Sequence, residues 1–274
     1  MKDYSLERKL SGAGLPHRRG SPRLLMWLAV PERFWRVAEF CDTNLRARSV
    51  SSQEGAGLRL FLIGATGGIG RAVIEQAKQR RHGVTALVRT PEKVGTLADG
   101  INVVRGNPLD ADVVKGALVG HDAVLSALGP PGLGHSTVQQ DGARSIVAAM
   151  QSLSMKRLLV VSAALLFKDA GVLTAILRNT LLRDVARDCA AAERIVIDTE
   201  FEWTIARPPR LTNGSLTRRY RVADGRMPEG AGALLSRADV AHFLLDEVER
   251  KQHVGQIVGL ARRLSSYRRA REAL

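Results

Sequence analysis

The chain has little from which to build a disulfide framework, a metal cluster or an aromatic nucleic-acid surface. Its 274 residues hold two cysteines, Cys41 and Cys189, which have neither metal spacing nor a partner framework. That usage fits a reducing compartment, and a cytoplasmic protein is expected. Aromatic residues make up 4%, so the basic excess (net charge +14, arginine far above lysine) has no interleaved rings for base stacking. The basic residues are scattered over the termini and along helices, as a coding bias toward arginine would leave them. Nucleic acid is therefore not expected as a partner. No apolar run approaches the length of a membrane span, and no membrane is expected either. The six histidines (His17, His82, His121, His135, His242, His253) show no paired ligand spacing, so no metal is expected.

What the chain does have is one strong local signal. Leu58-Arg59-Leu60-Phe61-Leu62-Ile63 is an apolar run of strand length. It ends in Gly64-Ala65-Thr66-Gly67-Gly68-Ile69-Gly70, with glycines 64, 67 and 70 spaced three apart. A helical pattern through Ala72, Val73, Ile74 and Ala77 follows at once. Strand, tight turn and helix N-terminus in that order form the geometry that holds a pyrophosphate. Gly64 permits the turn, Gly67 lets the backbone approach a phosphate, and Gly70 lets the helix pack close to the strand. A second strand, Gly83–Val88, ends in Arg89-Thr90. A site for NAD places an acid there to bind ribose hydroxyls, whereas an arginine suits a 2′-phosphate. NADPH (NADP) is accordingly the expected cofactor, with Arg71 available as a second positive charge.

Beyond the glycines, strand and helix alternate. Strands are expected at 58–63, 83–88, 101–105, 122–127, 157–162 and 202–206. Helices are expected at 70–81, near 109–118, at 138–153 and in a stretch ending near Asp198. This is the pattern of an α/β, Rossmann-like, doubly wound parallel sheet, a single domain over 58–262. Residues 1–57 differ: a Gly/Pro/Ser/Arg-rich stretch that reads as disordered, then apolar Leu24–Val30 and an amphipathic Phe34–Phe40. They read as an N-terminal extension, either a surface-docked helix or a product of an upstream start codon. A signal peptide is disfavoured, because the apolar core is short and no small-residue cleavage site follows. Residues 263–274 read as a basic tail.

At this point the residues support a family resemblance. From Leu58 to about Leu260 the chain resembles the atypical short-chain dehydrogenase/reductases that bind NAD(P)H. Within them it is most similar to the biliverdin reductase B, or flavin reductase (NADPH), group. The resemblance rests on Gly64-Ala65-Thr66-Gly67, Leu87-Val88-Arg89, Gly142–Met150, Ser162–Leu166, Pro208-Pro209 and Ser236–Phe243. It implies that Thr66, Gly67 and Ile69 hold the pyrophosphate and that Arg89 holds the 2′-phosphate. Asn107 would lie near adenine, Leu128 and Gly129 near the ribose, and Ser162 beside the nicotinamide and acceptor as the catalytic candidate. Cys189 and Arg210 stand where the group carries histidines, which makes them the candidate substrate-binding residues. Arg210 suits either an anionic acceptor or a surface ion pair. The tyrosine–lysine acid of the wider superfamily is absent, since none of Tyr4, Tyr220 or Tyr267 has a lysine four positions on.

Two functions fit these features. One is an NADPH-dependent oxidoreductase passing hydride to a small planar acceptor such as a flavin or quinone, in an apolar pocket of Leu165, Leu166, Phe167 and the Pro208–Leu211 loop. The other is a non-catalytic NmrA-like sensor of NADP(H) acting through a protein partner. A monomer or weak homo-oligomer is expected.

Overall fold

The computed structural model describes residues 57–169 and 171–263. The rest of the expected extension (residues 1–56, with Trp27, Trp35 and Cys41) and of the tail (264–274) lies outside the described residues. β1 (Arg59–Ile63) buries every side chain after its first. Continuous burial of this kind marks a central parallel strand covered on both faces. It is followed by α1 (Gly68–Gln79), β2 (Gly83–Val88), β3 (Asn102–Arg105), α2 (Ala111–Leu118) and β4 (Ala123–Ser126). Next come α3 (Val138–Ser152), β5 (Arg157–Val161), α4 (Val172–Asn179), α5 (Arg183–Ile197) and β6 (Glu202–Arg207).

These strands run parallel in the order β3-β2-β1-β4-β5-β6. The chain winds outward from β1 to β3, then returns to place β4 on the other side of β1. That reversal opens a crevice above the C-terminal ends of β1 and β4, where open α/β sheets bind ligands. The reversal of winding direction at β1 puts α1 and α3 on opposite faces, as crossovers of one hand require. α1 packs on a late helix, α6 (Arg237–Arg250), while α2, α3 and α5 pack side by side. Leu60, Leu62, Val73, Ile74, Val240 and Leu244 meet in the core between the sheet and the α1–α6 layer.

The last part of the chain departs from the expected pattern in three ways. The helical stretch before Asp198 is two helices, α4 and α5, with α4 entered through Gly171 at φ +90°. Short strands follow β6: β7 (Arg210–Thr212), β8 (Tyr220–Asp224), β9 (Ala231–Gly232) and β10 (Leu234–Ser236). Finally β11 (Gln256–Arg263) joins the sheet beside β6, parallel to it, and takes β8 and β9 antiparallel on its other side. β7 and β10 form a separate parallel ribbon pairing Arg210 with Leu234 and Thr212 with Ser236. No helix among the described residues is long and apolar enough to cross a membrane.

A buried ion pair ties the N-terminal edge of the sheet to α6. Arg157, at the start of β5, donates from Nη2 to Glu247 Oε1 at 2.9 Å, with side-chain exposures of 3% and 2%. Its Nη1 donates to the Glu202 carbonyl at 2.8 Å and to Thr204 Oγ1 at 2.9 Å. Removing one partner of such a pair leaves the other charge buried without compensation. Arg157→Met is therefore expected to destabilise the fold by about 3–5 kcal/mol. Chemical unfolding monitored by circular dichroism tests this, and a loss below about 1 kcal/mol would show that Glu247 finds another partner.

Candidate functional site

The crevice is built around one crowded backbone crossing. Gly64 leaves β1 at φ +85°, in the left-handed region that glycine adopts without strain. A Cβ on Gly64 would stand 2.4 Å from the Ala127 carbonyl oxygen at the end of β4. A Cβ on Gly70 would stand 2.3 Å from the Gly64 carbonyl oxygen, so the helix can approach the strand only without a side chain there. Gly67 behaves differently. Its Cβ would meet only the Gly64 oxygen at 3.3 Å, and the residue is exposed at the mouth of the crevice.

Gly67 is also the N-cap of α1, and the Gly67 N–H closes the turn onto the Gly64 carbonyl at 3.0 Å. No side chain caps the helix and no acid stands in its first turn. The first turn of a helix has N–H groups without intrahelical partners and a positive end. An uncapped, acid-free N-terminus with an open glycine in front of it fits the diphosphate of a dinucleotide. Thr66, Gly67, Ile69 and Gly70 would hold that group, with Ile69 keeping its side chain in the core.

Arg89 follows the last residue of β2, exposed, with no carboxylate within ion-pair distance among the described residues. Arg71 is committed elsewhere. Its Nε donates to the Thr66 carbonyl at 3.3 Å and its Nη2 to the Lys93 carbonyl, tying the glycine loop to the segment after β2. Asn107, after β3, accepts from the Leu109 N–H at 3.2 Å. Leu128 is half-buried against α3, where a Cβ on Gly142 would meet its Cδ1 at 2.3 Å. Gly129 beside it is exposed, with open space around its Cα.

Around the ends of β5 and β6 and on α5, the Ser162 hydroxyl, Cys189 and Phe167, all expected at the pocket, are buried in this structure. The Ser162 hydroxyl is buried and has no hydrogen-bond partner among the described residues. It lines a void of about 10 Å³ shared with Leu128, Cys189, Gln139 and Glu193, and is closed off from solvent there. Cys189 is 3% exposed and its thiol accepts from Gln139 Nε2 at 3.1 Å. Burial pushes this thiol up to about 11, so it is neither a substrate contact nor a ready nucleophile. Phe167 is buried too, beneath the Arg207 guanidinium at 4.6 Å, and supports the pocket without lining it. Leu165 and Leu166 remain half-buried at the surface, and Arg210 is exposed at the start of β7.

Contacts from α5 and β6 hold these loops; of their residues the sequence suggests only Glu193. Arg207 donates from Nε to Glu193 Oε1 at 2.8 Å and from Nη2 to Glu193 Oε2 at 2.5 Å, a buried bidentate pair. Beyond the strand ends, the Ala164 N–H donates to the Pro208 carbonyl at 2.9 Å. Asp188 on α5 accepts from the Gln139 and Gln140 N–H groups, at 3.1 and 2.9 Å, and so caps α3. The sequence alone allows Glu193 to orient this loop, with a solvated helix face as its default; both it and Asp188 are buried on α5, beside Val185, Ala192 and Val196.

Comparison with known proteins agrees with this geometry. A family model described as NAD(P)H-binding matches residues 64–251, and the chain belongs to that family. It is 28% identical over 207 residues to the uncharacterized protein YwnB of Bacillus subtilis, covering 72% of this chain and 94% of that one. A "putative NADH-flavin reductase" from Streptococcus pneumoniae TIGR4 superposes with a TM-score of 0.62 at 24% identity, covering 76% of this chain and 100% of that chain. A short-chain dehydrogenase/reductase from Veillonella parvula, solved in complex with NADP, superposes with a TM-score of 0.60 at 19% identity, over 74% of this chain and 94% of the other. These neighbours share the Rossmann fold.

The two kinds of glycine predict two kinds of failure. Gly67→Val is expected to fold and lose dinucleotide binding, because its side chain projects into the open mouth. Gly70→Val is expected to lower the melting temperature as well, because its Cβ meets backbone. Titration of NADPH and thermal melts of both variants check this. Unchanged affinity in folded Gly67→Val would contradict the cradle.

Proposed function

We propose that this protein is an NADPH-dependent reductase that passes hydride to a planar, electron-poor acceptor of the flavin or quinone class. The observation that carries the reading is an uncapped, acid-free helix N-terminus beside a half-apolar shelf, with the Ser162 hydroxyl and the Cys189 thiol both buried. When bound, a reduced nicotinamide supplies the hydride. The chain's residues would hold and orient: Gly64, Thr66, Gly67, Ile69 and Gly70 the diphosphate, Arg89 the 2′-phosphate, and Asn107, Leu128 and Gly129 the adenosine half. Leu165, Leu166 and the Pro208-Pro209 turn would form the shelf for an acceptor ring. Juxtaposition of two bound rings is then the main source of rate.

The inward-facing groups narrow the acceptor. The Ser162 hydroxyl is buried, the Cys189 thiol is buried, and the Tyr220 hydroxyl is bonded to His242 Nδ1 at 2.9 Å. A ketone would need a positioned acid to protonate the developing alkoxide. A flavin or quinone spreads the added charge over its ring system and can take its proton from water. Arg210, exposed beside the shelf, would favour an acceptor carrying negative charge. The resemblance to the flavin reductase group and the name of the pneumococcal neighbour support the same class.

Oxidation of NADPH, followed at 340 nm with FMN, riboflavin or menadione, tests the proposal. Turnover is expected with at least one of the three, and none with any would refute it. Loss of the Arg89 fork to a 2′-phosphate removes charged hydrogen bonds of about 1.5–3 kcal/mol each. Arg89→Ala should therefore weaken NADPH about tenfold or more and leave NADH nearly unchanged. Ser162→Ala should keep turnover within about threefold, because a buried hydroxyl does not reach the acceptor. A much larger loss would show that the hydroxyl turns outward during reaction.

A further inference from the structure

We infer that Arg237, the first residue of α6, is a phosphate-binding residue of the dinucleotide cleft. The inference rests on the cleft's being the dinucleotide site. It starts from Gly68, which the three-apart glycine spacing leaves unexplained. An ideal Cβ on Gly68 would lie 2.3 Å from Arg237 Cδ and 2.8 Å from Arg237 Nε. Gly68 is bare because the stem of Arg237 crosses it, and the guanidinium is thereby held at the N-terminus of α1.

That is an unfavourable place for a cation, because the helix end already carries about half a positive charge. Nothing among the described residues offsets it. Among the described residues no carboxylate stands within ion-pair distance of Arg237, and its one side-chain hydrogen bond, Nη1 to Asn213 Oδ1 at 2.6 Å, goes to a neutral amide. Two positive features facing each other without an acid are stabilised by an anion bound between them. The diphosphate for which the uncapped helix end is suited is such an anion.

Arg237 is also fixed in place. Ser236 caps α6 by accepting from the Asp239 N–H at 2.9 Å, and Asp239 receives the Thr217 and Arg218 N–H groups, both at 2.8 Å. Gln76 on α1 donates to the Ala238 carbonyl at 2.9 Å, so the two helices are pinned one residue away from the arginine. Asn213, its partner, directly follows β7, so the same arginine links the glycine loop to the strand that carries Arg210. The C-terminal part of the chain thus closes a cleft that the N-terminal strand, turn and helix open.

Titrations of NADP⁺, NAD⁺ and adenosine 2′-monophosphate against wild type, Arg237→Gln and Arg237→Lys test the inference. Because the diphosphate is common to both dinucleotides, Arg237→Gln should weaken NADP⁺ and NAD⁺ by the same factor, about tenfold. Adenosine 2′-monophosphate, which has no diphosphate, should be unaffected, and lysine should restore part of the loss. Gly68→Ala should produce a similar loss by displacing the arginine, and should add little in the Arg237→Gln background. Dinucleotide affinity within about twofold of wild type in Arg237→Gln would overturn the inference. So would a loss confined to NADP⁺, a matching loss for adenosine 2′-monophosphate, or full additivity of the two substitutions. Wild-type protein that binds neither dinucleotide would overturn the cleft itself.

Discussion

The meeting of three backbones at the end of β1 is the constraint from which the site follows. Gly64 turns against Ala127, and Gly70 returns against Gly64, with no room for a Cβ at either position. The close approach aims α1's N-terminus at the C-terminal edge of the sheet and sets its distance from β4. A bulkier residue would move the helix outward and take its unpaired N–H groups away from the crevice. Thr66 and Gly67, the residues proposed to face the diphosphate, are exposed, while Ile69 and Gly70, one turn on, are buried. The same short segment is therefore core on one side and, in the proposed function, anion cradle on the other.

The opposite wall is held by charges that are satisfied within the protein. Arg207 pairs with Glu193 and lies over the Phe167 ring, Asp188 caps α3, and the Pro208 carbonyl takes the Ala164 N–H. A buried Arg–Glu pair is costly to break and specifies one arrangement of the loops it joins. Its consequence for chemistry is that polar groups near the strand ends are committed inward. What the described residues of this wall leave at the crevice is backbone, the half-buried Leu165 and Leu166 and the exposed Arg210, an inventory suited to binding and orientation more than to proton transfer.

Much of the first two hundred residues' architecture beyond the extension was legible because the signals there are long and local. β1, β2 and β5 are runs of apolar residues within a residue of their expected bounds, and the glycine turn falls where the spacing requires. The later strands were not legible for physical reasons. β7, β9 and β10 have two or three residues each, and β8 carries Arg221 and Asp224. Their pairing is set by partners distant in sequence. α6 could have been read from its Ser236–Asp239 cap, and β11 from Ile257-Val258 and Leu260-Ala261. In the site, backbone demands were readable from glycine. Side-chain direction was not, so the burial of the Ser162 hydroxyl and the Cys189 thiol was invisible.

The most direct test of the account is a crystal structure of the chain with NADP⁺ bound. The account predicts the diphosphate against the N–H groups at the start of α1, in front of Gly67, with the 2′-phosphate in hydrogen-bond contact with Arg89. A dinucleotide lying away from the glycine turn, or a 2′-phosphate in solvent with Arg89 pointing elsewhere, would contradict it.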